Sequence, residues 1–215
     1  MATVTIGYDE REVAADVEAV VASHRGLVEH LRATAPVDPA TPSGLPDWTV
    51  GHVLTHLARN ADSHHRLLAG YDQYPHGWDG RNADIDAGAD RTWAELIADV
   101  ERTAAALSTA YETNTEWAEP PHENRAGRPR AMLPFVRQRE VEVHRADLDL
   151  GYGFDDMPSR YVRQELRLME MLWKANKPMG MTPLPDLALQ APPPTRLAWL
   201  MGRREIDGLG PAGIF

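Results

Sequence analysis

Apolar residues recur at the spacing of an α-helix in four long segments, at about residues 10–34, 48–68, 91–112 and 132–148. In the first segment the apolar positions are Val13, Val17, Val20, Val21, Leu27, Val28 and Leu31. Residues three or four apart share one face of a helix, so each segment predicts an amphipathic helix. Asp47 and Thr49 are candidate N-caps of the second helix. Because no strand pattern separates the segments, residues 1–150 are predicted to form a four-helix bundle.

The pattern changes after a glycine-rich break at residues 151–153. The remaining chain reads as a helix at 159–176, a candidate strand at 186–190, a helix at 195–203 and a candidate strand at 204–208. Residues 151–215 are therefore predicted to form a small α/β domain, which is marginal in size for folding alone. The predicted fold class is mainly α, a four-helix bundle with a small C-terminal α/β domain.

A long loop is predicted between the second and third helices, at residues 71–89. Loops of this length inside a compact domain often carry function. Tyr74 and Trp78 of this loop, together with Trp48, are candidates for lining a pocket, although aromatic residues more often serve in packing.

Composition excludes several kinds of chemistry. The formal net charge of −10 disfavours non-specific binding to nucleic acid, which needs clustered Lys and Arg. The chain has no cysteine, so disulfides, cysteine ligands and cysteine nucleophiles are excluded, and thiol chemistry needs a thiol from outside. Neither a signal peptide nor a transmembrane segment is predicted, so the expected location is cytoplasmic.

The most informative polar pair is Glu140 and His144, four residues apart in the fourth predicted helix. At helical spacing the pair lies within an apolar stripe made by Val136, Val141, Val143 and Leu148. A carboxylate buried without a partner is costly, and a divalent metal ion is one group that compensates it. The alternative is a salt-bridged patch in which Arg137 pairs with Glu140 and Asp147 with His144.

A catalytic zinc ion takes three protein ligands and keeps an open position, so a third ligand is expected from another helix. The second predicted helix offers His52 and His56, also four residues apart. Its aliphatic stripe consists of Val50, Val53, Leu54, Leu57 and Ala61. His52 falls nearly opposite that stripe, so periodicity alone predicts that it faces solvent or another element. The identity of the third ligand is therefore not decided by periodicity.

Four segments in order along the chain resemble one family of proteins. They are DWTVGHVLTHLARN at 47–60, GRNADI at 80–85, REVEVHRADL at 139–148 and LMGR at 200–203. The first resembles the start of the second helix in DinB-like metalloproteins, and the second resembles an RNxxI loop. The ordered set is similar to the mycothiol-dependent maleylpyruvate isomerase family. That resemblance implies a DinB-like four-helix bundle with a small C-terminal α/β domain.

The resemblance also implies a metal-binding site in which His52, Glu140 and His144 hold zinc and leave a fourth position for water or thiol. Ni²⁺, Co²⁺ and Fe²⁺ also suit two histidines and one glutamate. We expect Asp147 to orient His144 or Arg203 from outside the ligand set.

Two arginines have roles that only the resemblance implies. Arg203 matches the position of a catalytic arginine, and Arg81 would face the site and bind substrate. Without the resemblance, Arg203 and Arg204 read as cations near a helix C-terminus, where they favour the helix dipole, and Arg81 reads as a surface residue of a loop.

The resemblance thus implies an isomerase that depends on zinc and on mycothiol as thiol cofactor. Zinc lowers the pKa of a bound thiol, so that a thiolate forms at neutral pH. The thiolate adds to the cis double bond of maleylpyruvate, the resulting single bond rotates, and elimination gives fumarylpyruvate. The expected partners are this small-molecule substrate and a low-molecular-weight thiol, with no nucleic acid and no membrane.

Two alternatives stay open at this point. One is a mycothiol-dependent S-transferase or S-conjugate enzyme on the same scaffold, with a different electrophile. The other is a non-catalytic, metal-stabilised helical module that serves as a binding domain.

Overall fold

The computed structural model describes residues 9–118, 129–176 and 183–214. It divides into two compact units, Met1–Leu150 and Gly151–Phe215. Both units are helical, and within the described ranges the only β-type pairing is an isolated bridge between Pro42 and Thr49. The predicted mainly α fold class is confirmed.

In its described residues, the first unit is a bundle of four long α-helices with one shorter α-helix beside it. The helices are α1 (Glu10–Ala33), α2 (Val50–Leu68), α3 (Gly77–Gly88), α4 (Trp93–Thr113) and α5 (Leu133–Asp147). Helix α1 packs against α4 and α5, and α2 packs against the same two helices, so the four long helices form a closed ring of contacts. Each long helix thereby buries its apolar stripe against two neighbours, which is the packing of a four-helix bundle.

Local polar contacts set where the bundle helices begin. Thr49, one of the two predicted caps, accepts a hydrogen bond from the backbone of His52 and begins α2. Thr92 and Glu95 form a reciprocal capping box at the start of α4. Pro134 lies in the first turn of α5, where its missing N–H would have no partner in the helix.

The core of the bundle is made of aliphatic side chains from all four long helices. One buried cluster contains Leu27, Leu31, Val50, Val53, Leu54, Leu57, Ala58, Leu96, Val100, Val141 and Leu148. A fully buried leucine contributes about 1.5–3 kcal/mol relative to an exposed one, so the burial of this cluster stabilises the packing of the four helices.

The predicted loop at 71–89 is wrong in part, because it contains α3, which packs on α2. Only Ile85 of this helix is buried. A helix that buries one side chain has no apolar stripe, so the periodicity that revealed the long helices was missing here.

The second unit is helical as well. It contains a short 3-10 helix (Phe154–Asp156), α6 (Ser159–Ala175), α7 (Asp186–Gln190) and α8 (Pro193–Leu200), and α6 packs on α8. The strand predicted at 186–190 is wrong, because these residues form α7. Residues 204–208, the other candidate strand, are turns and irregular chain.

The two leucines of α7 do not form a buried face. Leu187 and Leu189 are each 47% exposed, and Ala188 between them is buried. The apolar positions therefore did not mark a buried face.

No helix within the described residues combines the length and the apolar character needed to cross a membrane.

Candidate metal centre

Helices α2 and α5 bring three side chains suited to metal binding together. His56 comes from α2, while Glu140 and His144 come from consecutive turns of α5. The Oε2 atom of Glu140 lies 3.0 Å from Nε2 of His56 and 3.6 Å from Nε2 of His144. One ligand atom from each of the three residues lies within 4.8 Å of the other two. We refer to these residues as the His56–Glu140–His144 cluster.

The packing of α2 on α5 positions this cluster. Leu57 of α2 and Val141 of α5 are fully buried in the same core cluster, and they directly follow His56 and Glu140 in sequence. The rings of His56 and His144 meet edge to face at 4.6 Å between centroids, and Trp48 lies 5.4 Å from His56. The polar cluster is therefore held between apolar and aromatic side chains.

His52, the ligand that the family resemblance implied, lies outside this group of three. Its Nδ1 atom is 2.8 Å from the Thr49 hydroxyl, within the cap of α2, and its Nε2 atom is 3.8 Å from a carboxylate oxygen of Asp86. The side chain of His52 is 22% exposed, whereas that of His56 is 5% exposed. The structure thus brings His56, one turn further along α2, to Glu140 and His144.

A signal for His56 was present in the periodicity of α2. At 100° per residue, His56 lies about 40° closer to the aliphatic stripe of this helix than His52 does. The side chain closer to the stripe is the one that the packing of α2 carries inward.

Burial and hydrogen bonding set the charges of the cluster. Burial lowers the pKa of His56 to about 4, so its ring is neutral near pH 7. Burial by itself would raise the pKa of the Glu140 carboxyl, but the hydrogen bond from His56 and the nearby imidazoles hold that pKa well below its usual range. A neutral imidazole beside an ionised carboxylate is the protonation state that a cation requires of its ligands.

Asp147 contacts the ring nitrogen of His144 that points away from Glu140. Nδ1 of His144 lies 2.9 Å from Oδ2 of the buried Asp147. A carboxylate oxygen accepts, so Nδ1 carries a proton, and in the neutral ring Nε2 is then the nitrogen with a lone pair. Carboxylates commonly hold metal-binding histidines in this way.

Arg81 lies at the cluster, because α3 carries it over α2. One of its terminal nitrogens, Nη2, is 2.9 Å from Nδ1 of His56. Its guanidinium also lies 5.9 Å from the ring centre of Trp48 and 5.6 Å from that of Trp78. Tyr74 packs on Trp78 at 5.0 Å, so all three aromatic residues predicted near a pocket are found around Arg81 or its contacts.

Arg203 belongs to the second unit, Gly151–Phe215. It donates a hydrogen bond to the backbone carbonyl of Met201. Together with Trp199, Arg204 and Glu205 it lines a cavity of about 340 Å³. Its catalytic role stays a prediction.

The chemistry of the His56–Glu140–His144 cluster fits a divalent metal ion. Two imidazole nitrogens and one carboxylate oxygen are a common ligand set of catalytic zinc, which leaves a fourth position for a ligand from solution. Tetrahedral bonds of about 2.0–2.1 Å place neighbouring ligand atoms roughly 3.3 Å apart. The observed separations of 3.0 and 3.6 Å lie on either side of that value.

Comparisons with known proteins point to one family. A sequence profile described as "Mycothiol maleylpyruvate isomerase N-terminal domain" matches residues 20–149. A crystal structure of the mycothiol-dependent maleylpyruvate isomerase shares 22% identity with this chain at a TM-score of 0.69, over 76% of this chain and 71% of the other. A structure of a histidine-to-alanine mutant of such an isomerase shares 19% identity at a TM-score of 0.75, over 89% of each chain. No curated protein sequence matches this chain.

At these identities the two crystal structures establish the fold. The matching profile spans more than half of the chain, including α2, α3 and α5, which carry the cluster and Arg81. The protein therefore belongs to the family of the mycothiol maleylpyruvate isomerase N-terminal domain.

Proposed function

We propose that this protein is a zinc-dependent and mycothiol-dependent isomerase of the maleylpyruvate type. The observation that carries the proposal is the His56–Glu140–His144 cluster, in which one partly buried carboxylate and two imidazoles converge without a cysteine. The family membership supports mycothiol as the thiol and maleylpyruvate as the substrate, since the similar crystal structures bear the name of that enzyme. In this proposal His56 takes the ligand position that was expected for His52.

Each residue of the cluster has a defined task. His56 and His144 present ring nitrogens, and Glu140 supplies the negative charge that partly neutralises a divalent cation. Asp147 keeps His144 in the tautomer that can bind. When bound, zinc supplies a positive charge that lowers the pKa of a thiol at the fourth position. Trp48 packs against the ring of His56 with 5.4 Å between the ring centroids.

The substrate of such an isomerase carries two carboxylates, and arginines are suited to hold them. We assign Arg81 to substrate binding, because its guanidinium already lies beside the cluster. We also retain the catalytic assignment of Arg203, which rests on its place in the family motif. Charge-assisted hydrogen bonds from guanidinium groups would orient the carboxylates and stabilise the enolate that forms when a thiolate adds to the double bond.

The test combines metal analysis with an assay. The protein is purified without chelators or nickel resin, its metal content is measured, and maleylpyruvate isomerisation is followed with and without mycothiol. We expect about one zinc per chain and turnover only when mycothiol is present. One bound zinc with thiol conjugation of another electrophile, but no isomerisation, would replace the isomerase with an S-transferase on the same site. No bound metal and no turnover would overturn the proposal.

A further inference from the structure

Both ring nitrogens of His56 make hydrogen bonds, and their partners define where its proton lies. Nε2 is 3.0 Å from Oε2 of Glu140, and Nδ1 is 2.9 Å from Nη2 of Arg81. A guanidinium only donates and an ionised carboxylate only accepts. The neutral ring of His56 therefore carries its proton on Nε2, donates it to Glu140, and accepts from Arg81 at Nδ1.

A cation in the cluster requires the opposite tautomer. Nε2 is the nitrogen of His56 that faces Glu140, so it must offer a lone pair to the cation, and the proton must then lie on Nδ1. An N–H group at Nδ1 cannot bond to Arg81, which has no acceptor atom. The hydrogen bond from Arg81 to His56 and the binding of a cation by His56 therefore exclude each other.

We propose that Arg81 responds to the metal: a divalent cation that binds the His56–Glu140–His144 cluster displaces the guanidinium of Arg81 from His56. This inference rests on the proposed metal centre. It adds a sequence of events, because the displaced guanidinium becomes available to an anionic ligand only once the cation is bound. By linkage, the bound cation and a carboxylate that binds the displaced Arg81 each increase the affinity of the protein for the other by the same factor.

The other contacts of Arg81 allow such a displacement. Besides His56, its guanidinium bonds to the side chain of the neighbouring Asn82 and lies over Trp48 and Trp78. Its Nε atom is buried and makes no hydrogen bond to any residue in the described parts of the chain. A buried N–H without a partner costs free energy, so moving the guanidinium to solvent would recover part of the free energy of the hydrogen bonds that are lost. Arg81 is only partly buried and can rotate outward.

The first experiment reads the tautomer of His56 directly. Long-range ¹H–¹⁵N spectra of the histidine rings are recorded on the chelator-treated full chain and after one equivalent of Zn²⁺. His56→Gln identifies the His56 signals by their loss. We expect the Nε2–H tautomer before zinc and the Nδ1–H tautomer after it. An Nδ1–H tautomer before zinc, or an Nε2–H tautomer that survives zinc binding, would overturn the inference.

The second experiment measures Zn²⁺ affinity by competition with a chromophoric chelator. We expect Arg81→Met to bind Zn²⁺ about tenfold more tightly than the wild type, since the cation no longer displaces a hydrogen bond, and we expect this gain to persist at high salt. The matched control is Arg66→Met, which removes an arginine from α2 whose guanidinium bonds to the Asp72 carbonyl. We expect that control to bind like the wild type.

The outcomes separate this inference from the proposed function. Equal or weaker zinc binding by Arg81→Met, or a gain that disappears at high salt as simple charge repulsion would, overturns the inference and leaves the metal centre standing. A wild-type chain that binds no Zn²⁺ overturns both.

Discussion

At the scale of single residues, the site depends on which histidine of α2 reaches α5. His56 and His52 are one turn apart, and both have polar partners. His56 meets Glu140, whereas His52 completes the cap of α2 with Thr49. Substitutions of His52 and of His56 are therefore expected to have different effects, which experiments can distinguish.

We expect His56→Ala to lower bound zinc well below one per chain, because it removes one of three ligands. We expect His52→Ala to keep a full equivalent of zinc and to lose roughly 0.5–1 kcal/mol of stability through the weakened helix cap. Metal analysis and urea unfolding of both variants measure these effects. Full zinc in His56→Ala together with lost zinc in His52→Ala would return the ligand position to His52.

At the scale of elements, the approach of α2 to the end of α3 is constrained by a glycine. A Cβ atom on Gly51 would lie 2.0 Å from the backbone carbonyl oxygen of Ala89. A backbone oxygen cannot rotate away, so a side chain here must separate the two segments.

Gly51→Ala is therefore expected to destabilise the protein by about 1–3 kcal/mol, although alanine is the better helix former. The control is Gly210→Ala, where an added Cβ meets no atom within 4 Å. Urea unfolding of both variants provides the comparison. A Gly51→Ala protein as stable as the wild type would contradict the close approach of α2 to Ala89.

A polar network centred on the buried Arg137 joins all four long helices. Arg137 of α5 is 0% exposed and donates to Nε2 of His24 in α1 and to Oδ1 of Asn60 in α2. Since Nε2 of His24 accepts, its Nδ1 carries the proton and donates to Ser108 of α4. Burial, and then the positive charge of Arg137, lower the pKa of His24 well below its usual value.

This network predicts a dependence of stability on pH. The unfolded chain protonates His24 near pH 6.5, while the folded chain resists protonation, so the unfolded state binds more protons below that pH. Stability is thus expected to be highest above about pH 6.5 and to fall as the pH drops below it. In urea unfolding between about pH 5 and 7, His24→Gln should show a shallower slope, and the exposed His65→Gln should retain the wild-type slope. An unchanged slope in His24→Gln would argue against a neutral buried His24.

At the scale of the whole molecule, the aliphatic core and not the metal centre is expected to hold the bundle together. The core cluster draws on all four long helices, whereas the metal cluster joins only α2 and α5. Removal of zinc by a chelator should therefore abolish turnover and lower the melting temperature by less than about 10 °C. Calorimetry and the isomerisation assay on the same samples test this. If the zinc-bound protein shows no turnover and the protein unfolds when zinc is removed, the result would favour a metal-stabilised binding module.

The sequence by itself determined the long helices, the pairing of Glu140 with His144 and the absence of thiol ligands. These features depend on local periodicity and composition, which are visible in the sequence itself. It did not reveal α3, whose single buried residue leaves no stripe, and it misjudged residues 186–190, where alternating leucines are exposed.

Only the tertiary structure decided which histidine joins the cluster and where Arg81 lies. His52 and His56 share one helix and one residue type, so the choice between them depends on the rotation of α2 against α5. That rotation follows from the packing of many side chains at once, Leu54 and Val141 of the buried core cluster among them, and the periodicity of α2 only favours His56 without fixing its partners on α5. The contact of Arg81 with His56 likewise depends on the docking of α3 on α2, which brings together residues 25 positions apart.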